Sequence, residues 1–187
     1  YWIARSYSAM GDFSEAGNYL KLIMEDDKHP KDLDLPIELS QTDILIKQKK
    51  PTEAIPKLEK LIEKTKKKKT RARLKYILAQ LYLEIDEGDK AMKLFAEVIK
   101  MNPPYEMAFS AKINMAKSFL SGSENSEKIR KMLAKLLKDD KNIDYQDQIY
   151  YVLAGVDFKE GKEKEAVKNY RNSVNKSISN QNQKALS

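Results

Sequence analysis

The sequence predicts an all-α protein: one solenoid over residues 1–187, built from about five stacked helix pairs. The first observation behind this is a repeat. Ala16, Ala54, Ala91, Ile129 and Ala166 recur every 37 or 38 residues, and Leu20, Leu58, Phe95, Leu133 and Tyr170 follow them one helical turn later. The second is a parallel series, Ala4, Thr42, Ala79, Ala116 and Ala154, followed three residues on by Tyr7, Leu45, Tyr82, Phe119 and Asp157. Each period therefore holds two amphipathic helices, the small residue of one admitting the large residue of the other. Only Asp157 breaks the apolar pattern. The third is composition: 41% apolar and 34% charged residues with six Gly and six Pro suit exposed helix faces better than a turn-rich β fold.

Helix pairs are expected at 1–26, 35–66, 70–101, 105–139 and 144–177. They belong to units at about 1–30, 31–69, 70–104, 105–142 and 143–179, with a sixth unit starting at 180–187. Gly11-Asp12, Gly88 and Gly161-Lys162 separate the helices of the first, third and fifth units, where a residue free to take φ > 0 ends a helix. Lys49-Lys50-Pro51 breaks the second unit without a glycine, and Ser121-Gly122-Ser123 breaks the fourth. Pro103 and Pro104 close the third, since proline cannot continue a helix but can begin one. Ala4 has three residues before it, and one more period after Ala154 passes Ser187, so the array is expected to be truncated at both ends.

This pattern resembles the tetratricopeptide repeat. Tyr150, Leu153, Ala154, Gly161, Ala166 and Tyr170 form the best single unit, followed by Leu78, Ala79, Tyr82, Ala91, Phe95 and Pro103. The resemblance implies a right-handed α-α superhelix that binds protein rather than catalyses. The family period is about 34 residues, so three or four extra residues must be placed; the connections at His29 to Pro36 and Lys66 to Thr70 are expected to hold them. A narrower resemblance attaches to Leu136-Leu137-Lys138-Asp139-Asp140-Lys141-Asn142-Ile143-Asp144-Tyr145-Gln146-Asp147-Gln148-Ile149-Tyr150-Tyr151. This run is similar to the tetratricopeptide lipoproteins of bacterial type IX secretion and gliding motility. That likeness implies a periplasmic scaffold, held to the outer membrane by a lipid outside this stretch of chain.

Catalytic classes find no residues to carry them. With no cysteine and one histidine, His29 in a polar loop expected to be exposed, no thiolate site, zinc site or Ser/His/Asp triad can be assembled. Asp139, Asp140, Asp144 and Asp147 lack the glycine and spacing of an EF-hand, and Asp144 is expected to cap the following helix. The six glycines are isolated and form no phosphate loop. No metal or cofactor is expected. No apolar run approaches the roughly 20 residues that cross a bilayer. The net charge of +7 raises a second reading, binding of nucleic acid or an anionic surface through the basic run Lys64 to Arg73. That run falls between apolar-periodic segments, reads as a solvated loop, and contains no aromatic residue on which bases could stack.

In solenoids of the resembled class, the first helix of each pair lines a concave groove. By that likeness Asp43, Gln80, Lys117 and Gly155 point into it. Leu39, Tyr76, Ile113 and Tyr151 stand one turn earlier; Ile46, Leu83, Leu120 and Phe158 stand one turn later, with Lys47, Glu84 and Lys159 beside them. The set expected to meet a protein or peptide is Asp43, Lys47, Tyr76, Gln80, Leu83, Lys117, Tyr151, Gly155, Phe158 and Lys159. Gly155 either leaves space beside Tyr151 and Phe158 for a partner's side chain or permits close helix packing. The groove lacks the clustered Lys and Arg that clamp a C-terminal carboxylate.

Overall fold

In the computed structural model, which describes residues 1–121 and 126–177, every regular element among those residues is helical. The five helix pairs end within two residues of the sequence boundaries. The expected break at Gly122-Ser123 and the sixth unit from 180 lie outside the described residues. The chain divides into two compact units, Tyr1–Leu81 and Tyr82–Ser187.

The first unit holds α1 (Trp2–Met10), α2 (Phe13–Glu25), α3 (Asp34–Lys47), α4 (Pro51–Lys64) and most of α5 (Lys68–Glu84). Helix α1 packs on α2, α2 on α3, and α3 on α4. Ala4 and Ala16 are buried to 1% and 0% exposure, so the helices approach closely around Leu20, Ile37 and Ile44, with Tyr7 and Tyr19 stacked at 5.5 Å beside them.

The second unit holds α6 (Gly88–Lys100), α7 (Tyr105–Ser121), α8 (Ser126–Leu137), α9 (Gln146–Lys159) and α10 (Glu163–Lys176). Here α6 packs on α7, α9 packs on α7, α8 and α10, and one cluster joins Met92, Phe109, Phe119, Leu133, Ile149 and Val152. Ile129, the only large residue in the small series of the second helices, is buried in the same cluster.

Four turns between paired helices share one geometry. Gly11, Lys49, Asp86 and Gly161 take φ of 85°, 55°, 59° and 72°. The next residue in each case, Asp12, Lys50, Glu87 or Lys162, donates its N–H to the carbonyl of Tyr7, Leu45, Tyr82 or Asp157 at 2.9–3.0 Å. This is the Schellman closure, which satisfies carbonyls left open at a helix end. Gly88, expected to take the positive φ, instead begins α6, and Asp86 bends the chain. An aspartate tolerates the left-handed region better than most residues.

The extra residues of the long period are placed in two ways. Helices α3 and α9 have 14 residues and follow connections containing a 3-10 turn, Lys31–Leu33 or Asp140–Tyr145. Helices α5 and α7 have 17 residues and follow short connections. The loop expected at Lys66 to Thr70 is therefore mostly absent: Lys68, Lys69, Arg71 and Arg73 lie in α5, and Lys64 ends α4 in an ion pair with Glu38 at 2.8 Å.

Two further expectations are corrected. His29 is 8% exposed rather than open to solvent. Its Nδ1 lies 2.7 Å from the Asp26 carbonyl and its Nε2 2.6 Å from Asp34 Oδ1. Asp144 does not cap α9; that helix starts after Tyr145 without a side-chain cap, while Asp139 caps the preceding 3-10 turn through the Lys141 N–H. The 3-10 turn Asp140–Tyr145 carries the polar residues expected of a helix start, so α9 begins later, at Gln146.

Candidate partner-binding faces

In the first unit, α1 and α3 border a cleft of about 430 Å³ lined by Tyr1, Arg5, Ser8, Leu39, Asp43 and Lys47, among others. The 14-residue α3 brings Asp43 and Lys47 onto one side, a turn apart. The Lys47 ammonium lies 2.8 Å from the Asp43 carboxylate and donates to Ser8 Oγ at 3.1 Å. Ser40 Oγ donates to the Pro36 carbonyl at 2.9 Å and to the Tyr1 hydroxyl at 3.3 Å. The Arg5 guanidinium sits 5.1 Å from the Trp2 ring centre. The cleft is thus polar, with Asp43 and Lys47 paired inside it. Half-buried Tyr76 and exposed Gln80, both on α5, are not among its lining residues.

In the second unit, Leu83 is half-buried and Lys117 exposed. The space at Gly155 is taken. A Cβ there would meet Leu120 Cδ1 at 3.3 Å, so the glycine admits close approach of α9 to Leu120 of α7. Tyr151 turns edge-on to Tyr170 of α10 at 5.6 Å and is half-buried. Lys159 donates to the Phe119 carbonyl near the end of α7, with its ammonium 4.5 Å from the Phe119 ring centre. A cation at a helix C-terminus is favoured by the open carbonyls and the dipole. Ile113, expected in the groove, is 4% exposed and belongs to the core. Phe158 is the more open of the two exposed apolar candidates here, at 67% exposure against 41% for Leu120.

A buried polar network was not foreseen. Asp157 is 1% exposed; its carboxylate meets Arg130 Nη1 at 2.5 Å and accepts from Asn169 Nδ2 at 2.6 Å, while Arg130 Nη2 reaches Glu160. Hydrogen bonds from Ser126, Lys162 and Arg130 hold the Glu160 carboxyl down at a pKa of about 2. One signal was available: Arg130 stands where the other units carry Gly17, Ile55, Met92 and Val167, one period-consistent exception facing another.

A tetratricopeptide repeat family profile matches residues 45–112. Solved structures of the same kind extend the likeness to most of the chain. The nearly identical TPR-like repeats of a Podosopora anserina protein named as a kinesin light chain share 17% identity, covering 96% of this chain and 93% of that one, with a TM-score of 0.72. MamA shares 19%, covering 98% and 96%, with a TM-score of 0.67. A second MamA structure, MSR-1 C2, shares 15%, covering 92% and 91%, with a TM-score of 0.62. No curated protein matches the sequence. At these identities the likeness shows the fold, that of tetratricopeptide-type helical repeats, and leaves partners to be argued from the residues.

Proposed function

We propose that this chain is a non-catalytic scaffold that binds another protein through the exposed faces of its first helices. The observation that carries this is the polar cleft of about 430 Å³ between α1 and α3, where Asp43 and Lys47 meet on the face that the family resemblance implies for binding. Phe158 supports the same reading in the second unit, because a ring 67% exposed on a first helix contributes little to the core and offers an aromatic anchor. Tyr76, Gln80, Leu83 and Lys117 remain part of the proposed surface; Tyr151, Gly155 and Lys159 act there mainly by positioning their neighbours. A more specific setting, a periplasmic secretion or gliding-motility assembly, is supported by the resemblance of residues 136–151 and belongs to the same proposal. So does a lipid anchor outside this stretch of chain.

The test is a crosslinking pulldown from cell envelope extract, comparing the native chain with a Phe158→Ala variant and an Asp43→Ala, Lys47→Ala variant. Loss of one defined protein partner with retained helical circular dichroism is the expected result. Unchanged capture by both variants contradicts the assignment. Capture of nucleic acid alone, lost on neutralising Lys66 to Lys69, contradicts the scaffold reading itself.

A further inference from the structure

The second unit carries a basic pocket that neither the repeat register nor the basic run at 64–73 points to. Lys128, Lys131 and Lys135 line one side of α8, and Lys112 of α7 joins them around a cavity of about 420 Å³. Met132 and Leu136 also line it, so apolar groups lie among four ammonium groups. The single acidic lining residue among the described ones, Asp139, is engaged: it accepts from the Lys141 N–H at 3.1 Å and from the Tyr105 hydroxyl at 3.4 Å. Lys131 pairs with Glu127 at 2.7 Å in an exposed pair that contributes little. Among the described residues, Lys112, Lys128 and Lys135 have no carboxylate within ion-pair distance.

From this geometry we infer that the α7–α8 pocket is a second docking surface, for an acidic amphipathic helix of a partner protein. Lys128, Lys131 and Lys135 sit at i, i+3 and i+7, rising about 4.5 Å and about 6 Å along α8. Carboxylates spaced three and four residues apart on a facing helix match both intervals, whereas alternate residues of an extended strand recur at about 6.8 Å and match only one. An apolar side chain between those carboxylates meets Met132 and Leu136. Among the described residues, the pocket lining contains no aromatic ring for stacking bases and no arginine fork for a bidentate phosphate. A protein carboxylate face is therefore favoured over nucleic acid or a lipid headgroup.

The test is fluorescence anisotropy with the full chain and two labelled helical peptides, one with Glu at i, i+3 and i+7 around a central Leu, the other with Gln at the same positions. The expected result is binding of the Glu peptide, weakened about tenfold or more by K128Q/K131Q/K135Q, a change of about 1.4 kcal/mol. Binding should be unchanged in K93Q/K164Q/K168Q, which removes equal charge from exposed positions elsewhere. Equal weakening in both triple variants, equal binding of the Gln peptide, no binding at low salt, or binding only of anionic vesicles or single-stranded DNA would each overturn the assignment.

Discussion

Asp157 occupies the register position filled by Tyr7, Leu45, Tyr82 and Phe119, and it is just as buried as a core ring would be. A carboxylate there is tolerated because Arg130 and Asn169 meet its two oxygens. Arg130→Ala leaves that charge without its cation and is expected to cost about 3–5 kcal/mol in urea unfolding. Restoring the repeat pattern with Arg130→Met and Asp157→Phe together is expected to be near neutral or stabilising, so the two changes should be strongly non-additive. In the sequence this pair shows only as two exceptions, since their meeting depends on α8 lying beside α9.

Two titrations follow from residue contacts. Glu160, held near a pKa of 2 in the fold, contributes stability above its unfolded value of about 4.3, and that contribution is lost as pH falls from there toward 2. His29 has the opposite sign. Both ring nitrogens face acceptors, the Asp34 carboxylate and the Asp26 carbonyl, so the imidazolium fits the site and its pKa is raised. Its contribution is complete below about 6.5 and is lost as pH rises through the raised value. Thermal unfolding across pH, with the His29 ring followed by NMR, should show both; an unshifted His29 titration would contradict the geometry. The burial of His29 is not legible in the sequence because its ring is held between the Asp26 carbonyl and the Asp34 carboxylate, a pairing that no local pattern encodes.

At the scale of elements, the helix-pair boundaries were legible because caps, prolines and apolar spacing agree, as at Asp12, whose carboxylate accepts the Glu15 N–H to start α2. The turn residues were less so: Lys49 and Asp86 do the work of glycine without being glycine. A lysine in the left-handed region pays about 1 kcal/mol, so Lys49→Gly is expected to stabilise the chain by roughly that amount, while Gly11→Ala destabilises it similarly. Paired denaturation curves check both signs. Helix α5 begins with Lys68 and Lys69 and has no acidic residue in its first turn, the unfavourable orientation for the helix dipole. Lys68→Glu is expected to raise stability by about 0.3–1 kcal/mol at low salt, an increment that should shrink in 1 M NaCl.

For the molecule as a whole, the repeat was readable because a fixed period constrains many residues at once, and a unit can absorb three extra residues in a longer α5 or α7 or in a 3-10 turn without losing register. The binding face was readable only as a list of positions. Whether a position stays open depends on neighbours one period away: Leu120 fills the space at Gly155, and Phe119 holds Lys159. Asp43, Lys47, Gln80, Lys117 and Phe158 stay exposed. The most direct test of the scaffold reading is site-specific photo-crosslinking in native cells, with benzoylphenylalanine placed at Asp43, at Phe158, and at exposed Lys60 and Lys93 on the second helices. One protein adduct shared by positions 43 and 158 and absent from 60 and 93 is the expected result. Adducts from 60 and 93 with none from 43 or 158 would contradict it.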